Sequence, residues 1–154
     1  MALHKTAARL EERLRGLGLE VEVRELADST RTAAEAAAAL GAEVGQIVKS
    51  LVFLAAEGPL VCLCAGDRRV DVGKLGEEVR AARADEVREA TGFAIGGVPP
   101  LGHDRELPTV VDESLRRFSL LWCAAGTPHA VFSIATDRLL AALPNATVAD
   151  VAEP

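Results

Sequence analysis

The sequence predicts one α+β domain built on a mixed β-sheet, and three observations predict it. Apolar residues make up 49% of the 154-residue chain and charged residues 26%, enough to bury a core without metal or disulfide staples. Segments of helical period and of strand period are interspersed along the chain. No repeat and no Pro/Gly/Ser-rich linker divides them, so the domain is expected to span 1–154.

The elements follow in order. Leu3, Ala7, Leu10, Leu14 and Leu17 recur at intervals of four and three, one stripe of a helix that Gly16 and Gly18 end. Residues 20–26 alternate, as a half-buried strand should. Thr32-Ala-Ala-Glu35 is a capping box opening an Ala-rich helix that Gly41 closes. Residues 47–56 and 59–65 are apolar runs joined at Glu57-Gly58, expected as a hairpin or neighbouring strands buried on both faces. Residues 72–80 and 85–90 read as short helices, the second stopped at Gly92. A loop with four Gly and two Pro covers 91–102. Residues 107–111, 120–125 and 130–134 read as strands. Thr136 is the expected cap of a last helix ending before Pro144, and 147–151 could add a strand.

Composition bounds the partners. Seventeen basic and twenty-three acidic residues leave a net charge of −6, which argues against a non-specific nucleic-acid coat and leaves room for a local basic patch. Four Phe, one Trp and no Tyr are too few for base-stacking sheets. No apolar run is long enough to span a bilayer and the first residues lack a signal-peptide h-region, so neither membrane nor DNA is expected as a partner. Three cysteines fit reduced thiols in a cytoplasm better than a disulfide framework.

Four places could carry chemistry. Lys49 sits in Gln46-Ile-Val-Lys-Ser-Leu-Val-Phe53, at the start of the most apolar strand, where a lysine either snorkels to water or aims its ammonium into a cleft. The loop Gly92-Phe-Ala-Ile-Gly-Gly-Val-Pro-Pro-Leu-Gly102 could bring backbone N–H groups close to an anion or oxyanion. It lacks the Gly-Lys-Ser/Thr of a P-loop. His129, in the turn Gly126-Thr-Pro-His129, and His103, just after the loop, are each a ligand, a base or a surface residue. Cys62 and Cys64 share one face of a strand that reads as core, so no metal and no other cofactor is expected. The chain has no Gly-x-Ser-x-Gly elbow and no His-Glu-x-x-His.

The ordered set of motifs carries a resemblance. Thr30 precedes the Ala-rich helix and Leu40-Gly41; then come Gln46 to Phe53, Ala65-Gly-Asp-Arg-Arg-Val-Asp71, Thr91-Gly-Phe93, Gly96-Gly-Val-Pro-Pro-Leu-Gly102, Val111-Asp-Glu-Ser-Leu115 and Ala125-Gly126. From about Ser29 onward the chain resembles the YbaK/ProX family, whose domain also occurs as the editing insertion of bacterial prolyl-tRNA synthetases. The resemblance implies a mixed, curved sheet with a barrel-like core flanked by helices. It implies hydrolysis of the ester that joins a wrong amino acid, such as Cys or Ala, to the 3′ end of a tRNA, commonly that for proline. Prolyl-tRNA synthetase is an implied partner. The family lysine falls on Lys49 and its Gly/Pro loop on Gly96 to Gly102, which makes Lys49, Gly97 and Gly102 the implied catalytic groups. Thr30, Phe53, Gly96, Pro100, His103, Gly126 and His129 are the implied substrate-binding residues. Phe93 stands where tyrosine is frequent. The contrasting reading is a module that binds aminoacyl-adenosine or a synthetase without hydrolysing anything. A local basic patch for tRNA is expected at Arg68, Arg69 and Lys74, or at Lys5, Arg9 and Arg13.

Overall fold

The computed structural model describes residues 3–27 and 32–154. Its centre is an antiparallel hairpin of β2 (Val48–Ala55) and β3 (Gly58–Ala65), in register from Val48 opposite Ala65 to Ala55 opposite Gly58. Both faces of this hairpin are covered, which is why its sequence reads as continuous apolar runs. Val48, Val52, Val61 and Leu63 face the main core. Phe53, Cys62 and Cys64 face a smaller cluster with Val70 and Val151.

The remaining strands are β1 (Arg24–Glu25), β4 (Arg80–Ala81), β5 (Thr109–Asp112), β6 (Leu120–Ala124), β7 (Ala130–Ala135) and β8 (Ala146–Ala149). The larger sheet runs β4-β2-β3-β5-β8, with β3, β5 and β8 parallel and the other pairs antiparallel. The smaller runs β1-β7-β6. An isolated parallel bridge from Ile47 to Trp122 joins them, so the sheets curve together without closing the barrel that the resemblance suggests.

Helix α1 (Lys5–Gly16) buries Ala7, Leu10 and Leu14 against the main core. Each buried leucine stabilises the packing by roughly 1.5–3 kcal/mol. Leu17 departs from the expected stripe and is 58% exposed, because the helix ends at Gly16 and the chain turns at Gly18 with φ 87°. Helix α2 (Ala33–Leu40) starts as expected: Thr32 Oγ1 accepts the Glu35 N–H at 3.1 Å, and Gly41 closes it in the left-handed region. Helices α3 (Ala84–Thr91) and α4 (Thr136–Ala142) complete the set among the described residues.

Several expectations are corrected. Residues 72–80 are not a helix: one 3₁₀ turn, Val72–Lys74, is followed by a further turn before β4, and Gly76 takes φ 146°, outside the helical region. In residues 20–26 the alternation is real, with Val21 and Val23 buried, yet only Arg24 and Glu25 pair with a strand. The Val23 N–H is taken instead by Glu11 Oε2 at 2.7 Å. Strand β5 begins at Thr109, since Pro108 before it has no N–H for a ladder. Thr136 is inside α4 and does not cap it; its hydroxyl donates to the Phe118 carbonyl at 2.6 Å, while Ala135 holds the cap position. The final strand ends at Ala149, two residues before the expected Val151.

Asp112, at the end of β5, is 1% exposed and ties the C-terminal segment to the sheet. Its carboxylate accepts from Val151 N–H at 2.9 Å, Ala152 N–H at 3.1 Å, Ser114 N–H at 3.1 Å and the Ser114 hydroxyl. Burial alone would raise its pKa; these donors outweigh burial and hold it below the ordinary carboxylate range. A depressed carboxylate contributes stability that is present above its unfolded pKa and lost as pH falls through the folded one. Asp112→Asn, which turns one acceptor into a donor facing donors, should cost about 2–3 kcal/mol at pH 7. Urea unfolding of both proteins should show that gap narrowing as the pH is lowered past 4 toward 2.

Candidate active site

Strand β2 is paired with β3 along its whole length, but on its other edge only at the ends. Ile47 bridges to Trp122, and Phe53 and Leu54 pair with Ala81 and Arg80. Between them Lys49, Ser50 and Leu51 have no strand partner on that edge among the described residues. The Val52 carbonyl, which accepts the Ala82 N–H at 3.0 Å, marks the direction in which the backbone of the even-numbered residues points. The gap opens into a cavity of about 460 Å³, a size typical of small-ligand sites. Strand β2 forms one wall; Trp122, Ala124 and Val131 of β6 and β7 form another; Ile95 and Gly96 stand at the loop side, and Thr32 and Ala36 at the α2 side.

Lys49 is half-buried on the face of β2 that carries Leu51 and Phe53, opposite Cys64. Its Nζ donates to the Arg68 carbonyl, in the turn that follows β3. An ammonium has three donors, so this bond fixes its position and leaves others for a ligand. The turn is itself braced. Asp67 makes a two-bond ion pair with Arg117, at 2.7 and 3.0 Å, which lowers the Asp67 pKa. Gly66 lies so close to the Val44 carbonyl that a Cβ would stand 2.5 Å from it. Lys49 thus lines the cleft, and its ammonium is held by a backbone acceptor in the turn after β3.

The glycine loop divides into two parts. Ala94 to Gly97 is a tight turn in which the Gly97 N–H donates to the Ala94 carbonyl at 2.9 Å, and Gly96 has φ 87°, as the third position of a type II turn requires. This turn lines the cleft and presents Ile95, 58% exposed, at its mouth. Gly97 faces away from the cleft and packs on the turn after β6: the Gly126 N–H donates to the Gly97 carbonyl at 2.9 Å, and a Cβ on Gly97 would be 2.8 Å from Thr127 Cα. Its N–H is therefore engaged in the turn. Gly126, with φ 94°, sits over Thr6 and Phe93.

The second part of the loop turns toward α1. Pro100, Gly102 and His103 line a separate cavity of about 210 Å³ with Arg13 and Pro144. Gly102 carries φ 83°, a Cβ there would be 2.9 Å from Leu10 Cδ1, and its carbonyl accepts from Arg13 at 2.5 Å. His103 Nε2 donates to the Pro99 carbonyl at 2.7 Å, and burial lowers its pKa, which favours the neutral ring. The structure thus brings Lys49, Phe53 and Gly96 to one cleft and places Pro100, Gly102 and His103 elsewhere. His129 lies beside the cleft residues Pro128 and Ala130; its carbonyl accepts the Leu26 N–H at 2.7 Å, and its buried Nδ1 has no partner among the described residues. Thr30 lies outside the described residues.

Sequence reading passed over Ser50 and Trp122. Ser50 had a signal, as the polar member of the alternating set Val48, Ser50, Val52 that faces the core. Trp122, whose ring lies 4.9 Å from the Arg24 guanidinium, had none beyond being the chain's one tryptophan. The thiols are chemically quiet. Burial, with Cys64 and Asp112 adding to it, pushes Cys62 up to about 12; burial also raises Cys64 and Cys123. Among the described residues no cluster of three His, Cys, Asp or Glu could hold a metal.

The two glycines of the turn respond to different constraints. Gly96→Ala meets only its positive φ, since its nearest neighbour would be 3.8 Å away, and should cost about 1 kcal/mol. Gly97→Ala drives a methyl into backbone and should cost about 2–3 kcal/mol, with the loop displaced from the Gly126 turn. Thermal unfolding of the two variants side by side checks the order.

Comparison with known proteins gives the family. A family model described as the aminoacyl-tRNA editing domain matches residues 27–142. The uncharacterized protein YwhH of Bacillus subtilis is 34% identical over 78% of this chain and 80% of its own. The proposed Cys-tRNA(Pro)/Cys-tRNA(Cys) deacylase EbsC of Enterococcus faecalis is 28% identical over 78% of this chain and 76% of its own. A crystal structure of a proposed trans-editing enzyme for prolyl-tRNA synthetase superposes with a TM-score of 0.93, at 48% identity over 99% of this chain and 100% of that one. With the cleft, the lysine and the glycine turn arranged on this fold, the chain belongs to the aminoacyl-tRNA editing domain family.

Proposed function

We propose that the protein is a deacylase that hydrolyses the ester of a mischarged aminoacyl-tRNA, with the aminoacyl end of the tRNA in the β2 cleft. The observation that carries this reading is Lys49: a cation fixed by the Arg68 carbonyl at the one unpaired stretch of β2, beside a cavity large enough for an aminoacyl ester. Water, or a nucleophile that the substrate itself carries, attacks the ester carbonyl carbon. The carbonyl oxygen becomes an oxyanion, which the Lys49 ammonium stabilises more strongly than it does the neutral carbonyl. The carbon–oxygen bond to the ribose then breaks, the ribose oxygen takes a proton, and free amino acid leaves. No protein nucleophile is needed: the three thiols are buried and held protonated. Phe53 and Gly96 shape the cleft, Gly126 and Gly97 support the turn above it, and Pro100, Gly102 and His103 hold the loop against α1. A tRNA for proline and a prolyl-tRNA synthetase partner follow from what the relatives are named for.

Contact with the tRNA backbone is assigned to Arg68 and Arg69, which are exposed and adjoin the carbonyl that holds Lys49. Lys74, part of the same expected patch, is bound to the C-terminal segment through the Ala152 carbonyl at 2.8 Å and Asp150 at 3.4 Å, and is left out. In the alternative patch Arg13 is tied to Gly102 and Asp104.

Lys49→Ala should stay folded by circular dichroism and lose about two orders of magnitude or more in single-turnover hydrolysis. Lys49→Arg should recover only part, since a planar fork does not reproduce a compact charge. A folded Lys49→Ala protein with normal hydrolysis would sink the assignment. Binding without release of amino acid by the wild type would favour a holding module instead. Arg68→Glu/Arg69→Glu should weaken tRNA binding and flatten its logarithmic salt dependence by about one to two. An unchanged slope would remove that patch.

A further inference from the structure

The outer face of the small sheet runs out of the cleft and carries two groups that the hydrolysis does not use. Leu121, Cys123, Phe132 and Ile134 of β6 and β7 face the main core. Alternation puts Trp122, Ala124 and Val131 on the other face, where all three are half-buried and line the cavity. Arg24 of β1 pairs in register with Val131, so its side chain continues that face beyond the cavity. Its guanidinium lies over the Trp122 ring, 4.9 Å from the centroid. Glu22 and Glu25 are near it in the chain, yet Arg24 is exposed and makes no ion pair among the described residues. The edge of the cavity thus offers a flat aromatic surface and a positive charge side by side.

We infer that this face carries the single-stranded 3′ nucleotides of the tRNA: one base stacks on Trp122 and Arg24 meets a phosphate, so that the acceptor strand leaves the cleft across β6, β7 and β1. This rests on the deacylase reading above, which puts the aminoacyl end in the cleft. An ester seated there is joined to unpaired nucleotides that must cross the rim, and each brings an aromatic base and one negative charge. A base stacks on an aromatic ring whatever its identity, and a guanidinium serves both the ring and a phosphate. An extended peptide has no charge of fixed sign in each unit to match Arg24 and is the poorer occupant. One tryptophan and no tyrosine make one such platform, so the face holds one base and does not coat RNA in runs, in keeping with the net charge of −6. Arg68 and Arg69, beyond the other edge of β2, remain for the body of the tRNA.

Because Trp122 is the chain's one tryptophan and there is no tyrosine, its emission reports on this face directly. Titration of the wild type with uncharged proline tRNA should quench that emission to saturation, and the same tRNA trimmed of its unpaired 3′ nucleotides should not. Trp122→Ala should weaken binding of labelled tRNA about tenfold, and Trp122→Phe should restore most of it, as loss and return of one stacked base require. Arg24→Gln should flatten the logarithmic salt dependence by about 0.7, the share of one single-strand phosphate contact. In single-turnover hydrolysis Trp122→Ala should raise the protein concentration that gives half the maximal rate, with that maximal rate within about twofold of wild type. Intact tRNA that binds without quenching would overturn the inference and leave the deacylase reading to the hydrolysis assay, as would a folded Trp122→Ala protein that binds tRNA as the wild type does. Emission that changes on dilution, with a matching change of mass in sedimentation, would give the face to a second copy and also overturn it. A wild type that is quenched as expected yet releases no amino acid would instead defeat the deacylase reading and leave the nucleotide face standing.

Discussion

Strand β2 is fully paired on one edge and paired only at its ends on the other, and the cleft exists because of that asymmetry. A strand edge in a protein interior must be paired or must face something polar. Here the Ile47–Trp122 bridge draws the small sheet to one end of β2, while Ala81 closes the other. The two sheets diverge between these points. The residues in the gap, Lys49 and Ser50, project to opposite faces of the strand, so the open stretch of backbone carries a cation tied to the Arg68 carbonyl on one side and a buried hydroxyl on the other.

The surroundings of β2 keep this arrangement rigid. The Gln46 side chain spans from the Glu43 N–H, at 2.9 Å, to the Leu120 carbonyl, at 3.0 Å, and so anchors the start of β2 to the small sheet. Gly66 and Gly45 let the turn after β3 and the 3₁₀ turn Val44–Gln46 approach neighbours that a side chain would displace. Asp67 and Arg117 hold that turn from outside. The Arg68 carbonyl therefore meets Lys49 as part of a braced frame.

Glycines of the long loop serve geometry more than ligand contact. Gly96 supplies a positive φ, Gly97 a surface without a side chain, and Gly102 both. One segment can thereby touch the turn after β6 at one end and α1 at the other. The same division separates two sets of residues that look contiguous in the sequence: the Ile95–Gly96 corner belongs to the cleft, whereas His103 belongs to the packing of α1.

The sequence by itself determined the α+β class, the β2–β3 hairpin, helix α2 with its Thr32 and Gly41 caps, and Lys49 as the residue to watch. These are local properties: a hydrophobic period, a capping residue, a charge in an apolar run. It also carried enough ordered motifs to point to the editing family. The tertiary structure decided what depends on residues far apart in the chain. It stopped the helix expected at 72–80, turned Pro100, Gly102 and His103 away from Lys49, and closed Gly97 into a turn. It also left the buried Ser50 hydroxyl without a partner among the described residues. Periodicity tells which face of a strand is apolar, but which edge stays open, and which polar atom is left without a partner, is settled only when the second sheet arrives.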